Sequence, residues 1–238
     1  MKRLNIVALF FILYGIYGAA AQNATLFFDE ADALFGKVVS NGKVDYQALK
    51  NDPSQLDAIL SIAKNITVSK SRPEEYQAFW INAYNLSVLK GVIDNYPLRS
   101  PLDKNGFFDR ITYDLAGERI TLNDIENKKL RAQFDDPRFH FVLVCGAKGC
   151  PPIIARSYSP GNLEKLLQQQ TIKALNDSSF IRVSEGKLAL SEIFKWYKED
   201  FVKGGSTEIE FLNKYRREKV PEQLEISYYS YDWRLNSI

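Results

Sequence analysis

The imidazole and thiol groups of this chain are confined to one short stretch, residues 136–152. It contains the single histidine of the protein, His140, and both cysteines, Cys145 and Cys150. The residues at 141–144 form an uninterrupted apolar block, and a short apolar run bounded by turn residues predicts a buried β-strand. Glycines and prolines follow it, so the predicted strand ends in a tight loop. Any histidine or cysteine chemistry of this protein must therefore come from this stretch.

The N-terminus has the pattern of a secretory signal peptide. Lys2 and Arg3 precede an apolar segment too short to span a bilayer, and small alanine residues follow. We expect removal of residues 1–21 by cleavage after Ala21, which leaves residues 22–238 as an exported protein, periplasmic or secreted. The formal net charge then falls from +2 to zero, because twenty-nine basic residues balance twenty-nine acidic ones. A balanced charge argues against nucleic acid as a partner, since phosphate binding needs clustered, uncompensated Lys and Arg.

One helix is predicted to lie at the centre of the fold. It begins at Pro73, because proline suits the first helical turn, and it ends before Pro97. Apolar residues cover nearly its whole circumference, which is typical of a buried helix. Asn82 and Asn85 share one side of it, and buried amides must be hydrogen bonded. Two interpretations stay open: the amides bind and orient a ligand, or they hold neighbouring backbone.

The other segments alternate irregularly between helices and hairpins. Hairpins are predicted around residues 116–117 and 185–186, with Thr121 and Ser191 as helix N-caps after them, and the aromatic tail 226–236 is predicted to close the fold as a strand. This irregular order favours a single α+β domain over residues 22–238, with the central helix packed on a small mixed or antiparallel sheet. Further helices are predicted over residues 23–41, 54–63, 162–175 and 209–215.

Several motifs of the chain resemble the domain of unknown function 547 family, whose activity is not established. They are Val44-Asp45-Tyr46, Phe79 to Asn85, Thr121 to Glu126, Arg138 to Phe141 with Cys145 and Cys150-Pro151, and Trp196-Tyr197 with Asp200-Phe201. Together they cover most of residues 44–201. The resemblance implies an α+β fold related to papain-like thiol hydrolases. Where many relatives have a histidine after the Ile-Glu pair, this chain has Asn127.

One functional hypothesis is a cysteine-dependent hydrolase of an amide or ester. Cys150 or Cys145 would be the nucleophile, His140 the base, and Glu126 or an asparagine would orient the imidazole. A straight strand would, however, place His140 and Cys145 about 16 Å apart and on opposite faces. The hypothesis therefore requires a bend in the apolar run.

The other hypothesis is a non-catalytic module that binds a ligand or partner, with a structural disulfide between Cys145 and Cys150. Its glycine loop presents backbone N–H groups and Lys148, which could hold a carboxylate or phosphate. A zinc site built on His140 and the two cysteines would lack the fourth protein ligand of a structural zinc ion, so we predict no metal and no cofactor. The expected partner is an unidentified small molecule or peptide, not nucleic acid and, after signal cleavage, not a membrane. The aromatic residues at 79–84 and 196–197 are interpreted as core.

Overall fold

The structure is a computed structural model that describes residues 23–184 and 186–238. The predicted signal peptide lies outside these residues. Within the described ranges, no helix is both long enough and apolar enough to cross a membrane.

Helices form most of the regular structure. They are α1 (residues 23–38), α2 (Tyr46–Asn51), α3 (Ser54–Asn65), α4 (Pro73–Asp94), α5 (Leu122–Asp124), α6 (Leu163–Leu175), α7 (Glu192–Trp196), α8 (Lys198–Phe201) and α9 (Glu208–Tyr215). A π-helix, Ile125–Arg131, continues directly from α5, and 3₁₀ turns occupy Pro101–Asp103, Pro137–Phe141 and Lys203–Gly205. The predicted helices are thereby confirmed, with small differences at their ends.

The strands form three small sheets. They are β1 (Val39–Ser40), β2 (Lys43–Val44), β3 (Thr112–Leu115), β4 (Glu118–Thr121), β5 (Ile181–Ser184), β6 (Lys187–Ser191) and β7 (Glu225–Tyr229). The pairs β1–β2 and β3–β4 are antiparallel, and in the third sheet β6 pairs antiparallel with β5 and parallel with β7. Both predicted hairpins are confirmed, and the fold is a single α+β domain. Only the first part of the aromatic tail is a strand.

Helix α4 lies at the centre of the larger of two hydrophobic cores. Pro73 occupies its first turn with Glu74 and Glu75, where acidic side chains complement the positive end of the helix dipole. Most of its side chains are buried from Tyr76 onward, and the β3–β4 hairpin packs in the same core. The second core joins the β5–β6–β7 sheet to α7, α8 and α9. The prediction of a buried central helix is confirmed.

The predicted strand over residues 141–144 is wrong. The chain instead forms the 3₁₀ turn Pro137–Phe141 and then an irregular segment without a strand partner. Asn85 of α4 takes the place of a neighbouring strand: its Nδ2 donates to the Val142 carbonyl, and its Oδ1 accepts from the Val144 N–H. The apolar run is buried as predicted, but burial alone does not distinguish a strand from a helical turn. The predicted separation of His140 from the cysteines assumed a straight strand, and that assumption does not hold.

Candidate active site

The segment from His140 to Cys150 curls around a cavity of about 270 Å³ that lies between the two cores. Four of the side chains predicted for the site line this cavity: His140, Glu126, Cys145 and Cys150. The remaining lining residues are Tyr84, Phe108, Asn123, Leu143, Ile193, Trp196, Tyr197, Tyr231 and Trp233. The curled path of the backbone thus gathers all the histidine and cysteine chemistry of the protein in one cavity.

His140 is oriented by a carboxylate that sequence analysis did not assign to the site. Its Nε2 lies 2.8 Å from Oδ2 of Asp200, and its ring stacks on Tyr197 with centroids 4.1 Å apart. The orienting role predicted for Glu126 therefore falls to Asp200. The resemblance contains Asp200 as one position of a motif, but sixty residues separate it from His140, and sequence spacing gives no signal for such a contact.

The charge state of Asp200 determines which nitrogen of His140 is basic. Burial raises the pKa of Asp200, but the hydrogen bonds from His140 and from Arg131, whose Nε lies 2.6 Å away, outweigh it and hold the pKa below the usual range. The carboxylate is therefore ionised at neutral pH and acts as an acceptor. Because it accepts, Nε2 of His140 carries the proton and Nδ1 is left as the basic nitrogen.

Arg131 is itself positioned by the π-helix. Its Nη1 donates to Oδ1 of Asn127, and Nδ2 of Asn127 donates to the backbone and side-chain oxygens of Asn123 one turn earlier. Its guanidinium also lies over the Tyr197 ring, 4.8 Å from the centroid. Asn127, which stands where many members of the family that this chain resembles have a histidine, thus accepts a hydrogen bond from the guanidinium that binds Asp200.

Both sulfur atoms lie at one end of the cavity, beside Tyr231. The sulfurs of Cys145 and Cys150 lie at disulfide distance from each other. The Cys145 N–H donates to Sγ of Cys150 over 3.0 Å, and the Tyr231 hydroxyl donates to the same sulfur over 2.8 Å while lying 3.0 Å from Sγ of Cys145. Donors directed at a sulfur stabilise the thiolate over the thiol. In a reduced protein, Cys150 is therefore the better placed nucleophile.

Two similar hairpin–helix units supply much of the cavity wall. Hairpin β3–β4 ends at Thr121 and hairpin β5–β6 ends at Ser191, and each hydroxyl accepts a backbone N–H from the first turn of the following helix. The fifth residue after each cap lines the cavity, Glu126 in the first unit and Trp196 in the second. Glu126 lies on the π-helix, a geometry frequent at functional sites. The caps were predictable, whereas the shared cavity was not.

Aromatic rings form most of the remaining wall. The Tyr231 and Trp233 centroids lie 4.7 Å apart, and Trp196 stacks on Trp233 at 5.9 Å. The interpretation of Trp196 as core is wrong, because this residue is 45% exposed and lines the cavity. Tyr197 also lines the cavity, whereas Phe79 is fully buried in the core around α4. The sequence pattern predicts a strand for the C-terminal aromatic residues and gives no signal of their place at the site.

The two asparagines of α4 do not line this cavity. Nδ2 of Asn82 donates to the carbonyls of Ala78 and Tyr158, and its Oδ1 accepts from the Tyr158 N–H. Asn85 holds the segment between His140 and Cys145, as described above. The interpretation that these amides hold neighbouring backbone is confirmed.

The glycine loop does not form the predicted anion cradle. The N–H of Lys148 donates to the Arg234 carbonyl, and that of Gly149 donates to the Asp232 carbonyl. These donors are occupied by the C-terminal tail, and the exposed Lys148 side chain lies outside the cavity lining. Across the described part of the chain, no group of three or more His, Cys, Asp or Glu side chains is placed to hold a metal ion.

Comparison with known families gives one match. Residues 68–173 match the DUF547 family, described as proteins of unknown function. The chain resembles the DUF547 family. The matched range contains His140, both cysteines and Glu126, and it ends before Asp200 and Tyr231. Searches of curated proteins and of solved structures found no match.

Proposed function

We propose that this protein is a cysteine-dependent hydrolase of an amide or ester, with Cys150 as the nucleophile and His140 as the base. The observation that carries the proposal is the position of His140, bonded through Nε2 to Asp200, in the same cavity as Cys150. A nucleophile, a base and a carboxylate that orients the base are the three parts of a catalytic triad.

The reaction would use His140 as a proton carrier in two steps. Nδ1 of His140 takes the proton of the Cys150 thiol, and the thiolate forms a bond to the carbonyl carbon of the substrate. The C–N or C–O bond breaks, and the leaving amine or alcohol takes the proton from His140. Water then attacks the thioester carbonyl carbon and gives one proton to His140, the C–S bond breaks, and His140 returns the proton to the sulfur. The products are a carboxylic acid and the free Cys150 thiol.

The proposal requires Cys150 as a free thiol. Since the sulfurs of Cys145 and Cys150 lie at disulfide distance, oxidation would join them and block the nucleophile. A small thiol or dithiol reductant would restore it, with two electrons and two protons passing to the cysteines as the reductant is oxidised. Activity should therefore depend on reduction.

The same proximity favours a second candidate, a binding module without catalytic activity in which Cys145 and Cys150 form a permanent structural disulfide. In that case the aromatic cavity would hold a small molecule or peptide, and the imidazole would serve only to fix Tyr197 and Asp200 in place. The two candidates make opposite predictions for the reduced protein.

Alkylation by iodoacetamide, with the modified cysteine located by mass spectrometry, separates the two candidates. In reduced protein we expect Cys150 to react near neutral pH and to turn over a p-nitrophenyl ester. The exchange Cys150→Ser should abolish turnover, and His140→Ala should lower both rates by about 100-fold. The control Cys145→Ser cannot form the disulfide and should be active without reductant. Reduced protein that shows no turnover, with alkylation unaffected by His140→Ala, would overturn the hydrolase proposal in favour of the binding module.

Export is part of the proposal. The basic and apolar N-terminal pattern supports secretion after cleavage behind Ala21. An oxidising compartment would favour the disulfide bond between Cys145 and Cys150. The mass of the protein recovered from a secreting host tests this, with a chain that begins at Gln22 expected.

A further inference from the structure

Glu126 has no part in the proposed triad, although it lines the cavity. The other carboxylate at the site, Asp200, is compensated by Arg131 and bonded to His140. Among the described residues that line the cavity, Glu126 is the one with a formal charge when His140 is neutral. Arg131 also interacts with Glu126 but does not line the cavity, so the lining itself presents one negative charge, that of Glu126, to the contents of the cavity.

The charge of Glu126 acts on the surrounding phenols. Burial is the main reason why the pKa values of Tyr84, Tyr197 and Tyr231 lie above the usual tyrosine range, and the negative charge of Glu126 raises each of them further. All three tyrosines line the cavity. The field of Glu126 thus extends through the space where a substrate would lie.

The aromatic rings that line the same cavity as Glu126 suit an organic cation. Trp196, Trp233 and Tyr231 pack against one another in the cavity wall, with centroid separations from 4.7 to 5.9 Å. Trp196 is half-exposed, and Trp196 and Trp233 both line the cavity. A ring face attracts an ammonium group, and this attraction grows when the group is shielded from water. An anion would meet repulsion from Glu126 and no compensating Lys or Arg in the lining.

We propose that the cavity selects substrates with an alkylammonium group close to the bond that is cleaved, bound by Glu126 and by the ring faces of Trp196 and Trp233. The inference rests on the proposed hydrolase function for the reacting bond. The cation site itself follows from Glu126 and the aromatic wall, and it can be tested without hydrolysis.

Charged thiol reagents test the site, with Cys150 as the reporter in the Cys145→Ser variant. Its thiolate attacks the sulfenyl sulfur of a methanethiosulfonate, forms a mixed disulfide and releases methanesulfinate. We compare the trimethylammonium-ethyl reagent with the sulfonate-ethyl reagent and normalise their rates to those of 2-mercaptoethanol. The normalised cation-to-anion rate ratio should be about tenfold or more above one.

The exchange Glu126→Gln should bring that ratio close to one and leave the rate of the neutral methyl reagent within about twofold. The matched control is Glu199→Gln, which removes the same charge from an exposed position of α8 outside the cavity lining and should keep the ratio. An equal ratio in the parent and in Glu126→Gln would overturn the cation site.

Direct binding keeps the two proposals distinguishable. Benzyltrimethylammonium should quench tryptophan fluorescence in the parent, and this quenching should be lost in Glu126→Gln and in Trp196→Ala. If Cys150 reacts with no reagent while saturable quenching remains, the hydrolase proposal fails and the cation site stands. If Cys150 reacts without charge selectivity and no quenching occurs, the cation site fails and the hydrolase proposal stands.

Discussion

At the scale of single residues, the site depends on how one partly buried carboxylate is compensated. Asp200 accepts hydrogen bonds from His140 and Arg131, and it is 13% exposed. An ionised carboxyl in such a position is stable only with these partners, because burial by itself opposes its charge. The same contacts that orient the imidazole therefore make the stability of the protein sensitive to acid.

We expect the stabilising effect of Asp200 to disappear in acid. Since its pKa is lowered in the folded protein, the effect is complete above the unfolded value, near 4, and is lost as the pH falls toward the folded value, because only the unfolded chain then binds the proton. The exchange Asp200→Asn should cost about 2 kcal/mol at pH 7, and this difference should shrink between pH 5 and about 3. Urea unfolding at several pH values measures it.

Asp135→Asn is the control for this experiment, because Asp135 is an exposed carboxylate whose partner is Lys203. It should change stability little at any pH. A difference between wild type and Asp200→Asn that stays constant from pH 7 to pH 3 would contradict the expected effect.

At the scale of elements, helix α4 builds the site without contributing either sulfur or imidazole. One buried amide, Asn85, bonds the backbone on both sides of Leu143, between His140 and Cys145. Another, Asn82, does the same for Tyr158 on a different segment. The helix thus acts as a rigid template, and its two asparagines form a natural pair of test and control.

Replacing either asparagine by alanine should destabilise the fold, but only one replacement should disturb the site. Both exchanges leave buried backbone groups without partners, and each should cost about 3 kcal/mol, measured by chemical denaturation. Asn85→Ala should also slow Cys150 alkylation in reduced protein, because the segment that joins the base to the cysteines loses its anchor. Asn82→Ala should keep the wild-type alkylation rate. Equal alkylation rates in the two variants would show that α4 does not position the site.

At the scale of the whole molecule, the C-terminal tail connects distant parts of the chain at the cavity. The carbonyl of Arg234 accepts from the glycine loop, the N–H of Asn236 donates to Gly146, and the carbonyl of Asn236 accepts from Val44 of β2. A Cβ at Gly149 would lie 2.9 Å from the Asp232 nitrogen and the Tyr231 ring, so glycine is required for the tail to approach. The loop that contains the cysteines is therefore completed by residues eighty positions later.

Removal of residues 234–238 should weaken both the fold and the protection of the cysteines. The truncated chain loses the backbone hydrogen bonds of Arg234 and Asn236 and the burial of Leu235, which together predict a loss of about 3 kcal/mol or more in the free energy of unfolding. Urea denaturation measures the loss, and in reduced protein a bulky maleimide should alkylate Cys150 faster. The control is removal of the exposed Ile238 alone, which should cost far less. Equal stability of the two truncated proteins would contradict this role of the tail.

The features determined by the sequence alone were those set by neighbouring residues. The helix from Pro73, the two hairpins and the caps Thr121 and Ser191 follow from local backbone preferences and from the apolar residues that cover nearly the whole circumference of the helix. Composition also located all the histidine and cysteine chemistry in residues 136–152. These features depend on residues close together in the sequence and not on long-range contacts.

Only the tertiary structure decided how that chemistry is assembled. A buried apolar run forms a strand or a helical turn according to the partner that satisfies its backbone, and here that partner is the Asn85 amide of a helix rather than another strand. The carboxylate that contacts His140 belongs to Asp200, sixty residues further along the chain. The hydroxyl that donates to Cys150 belongs to Tyr231, eighty-one residues further along. Contacts at such separations depend on the path of the whole chain, so sequence spacing could not reveal Asp200 or Tyr231.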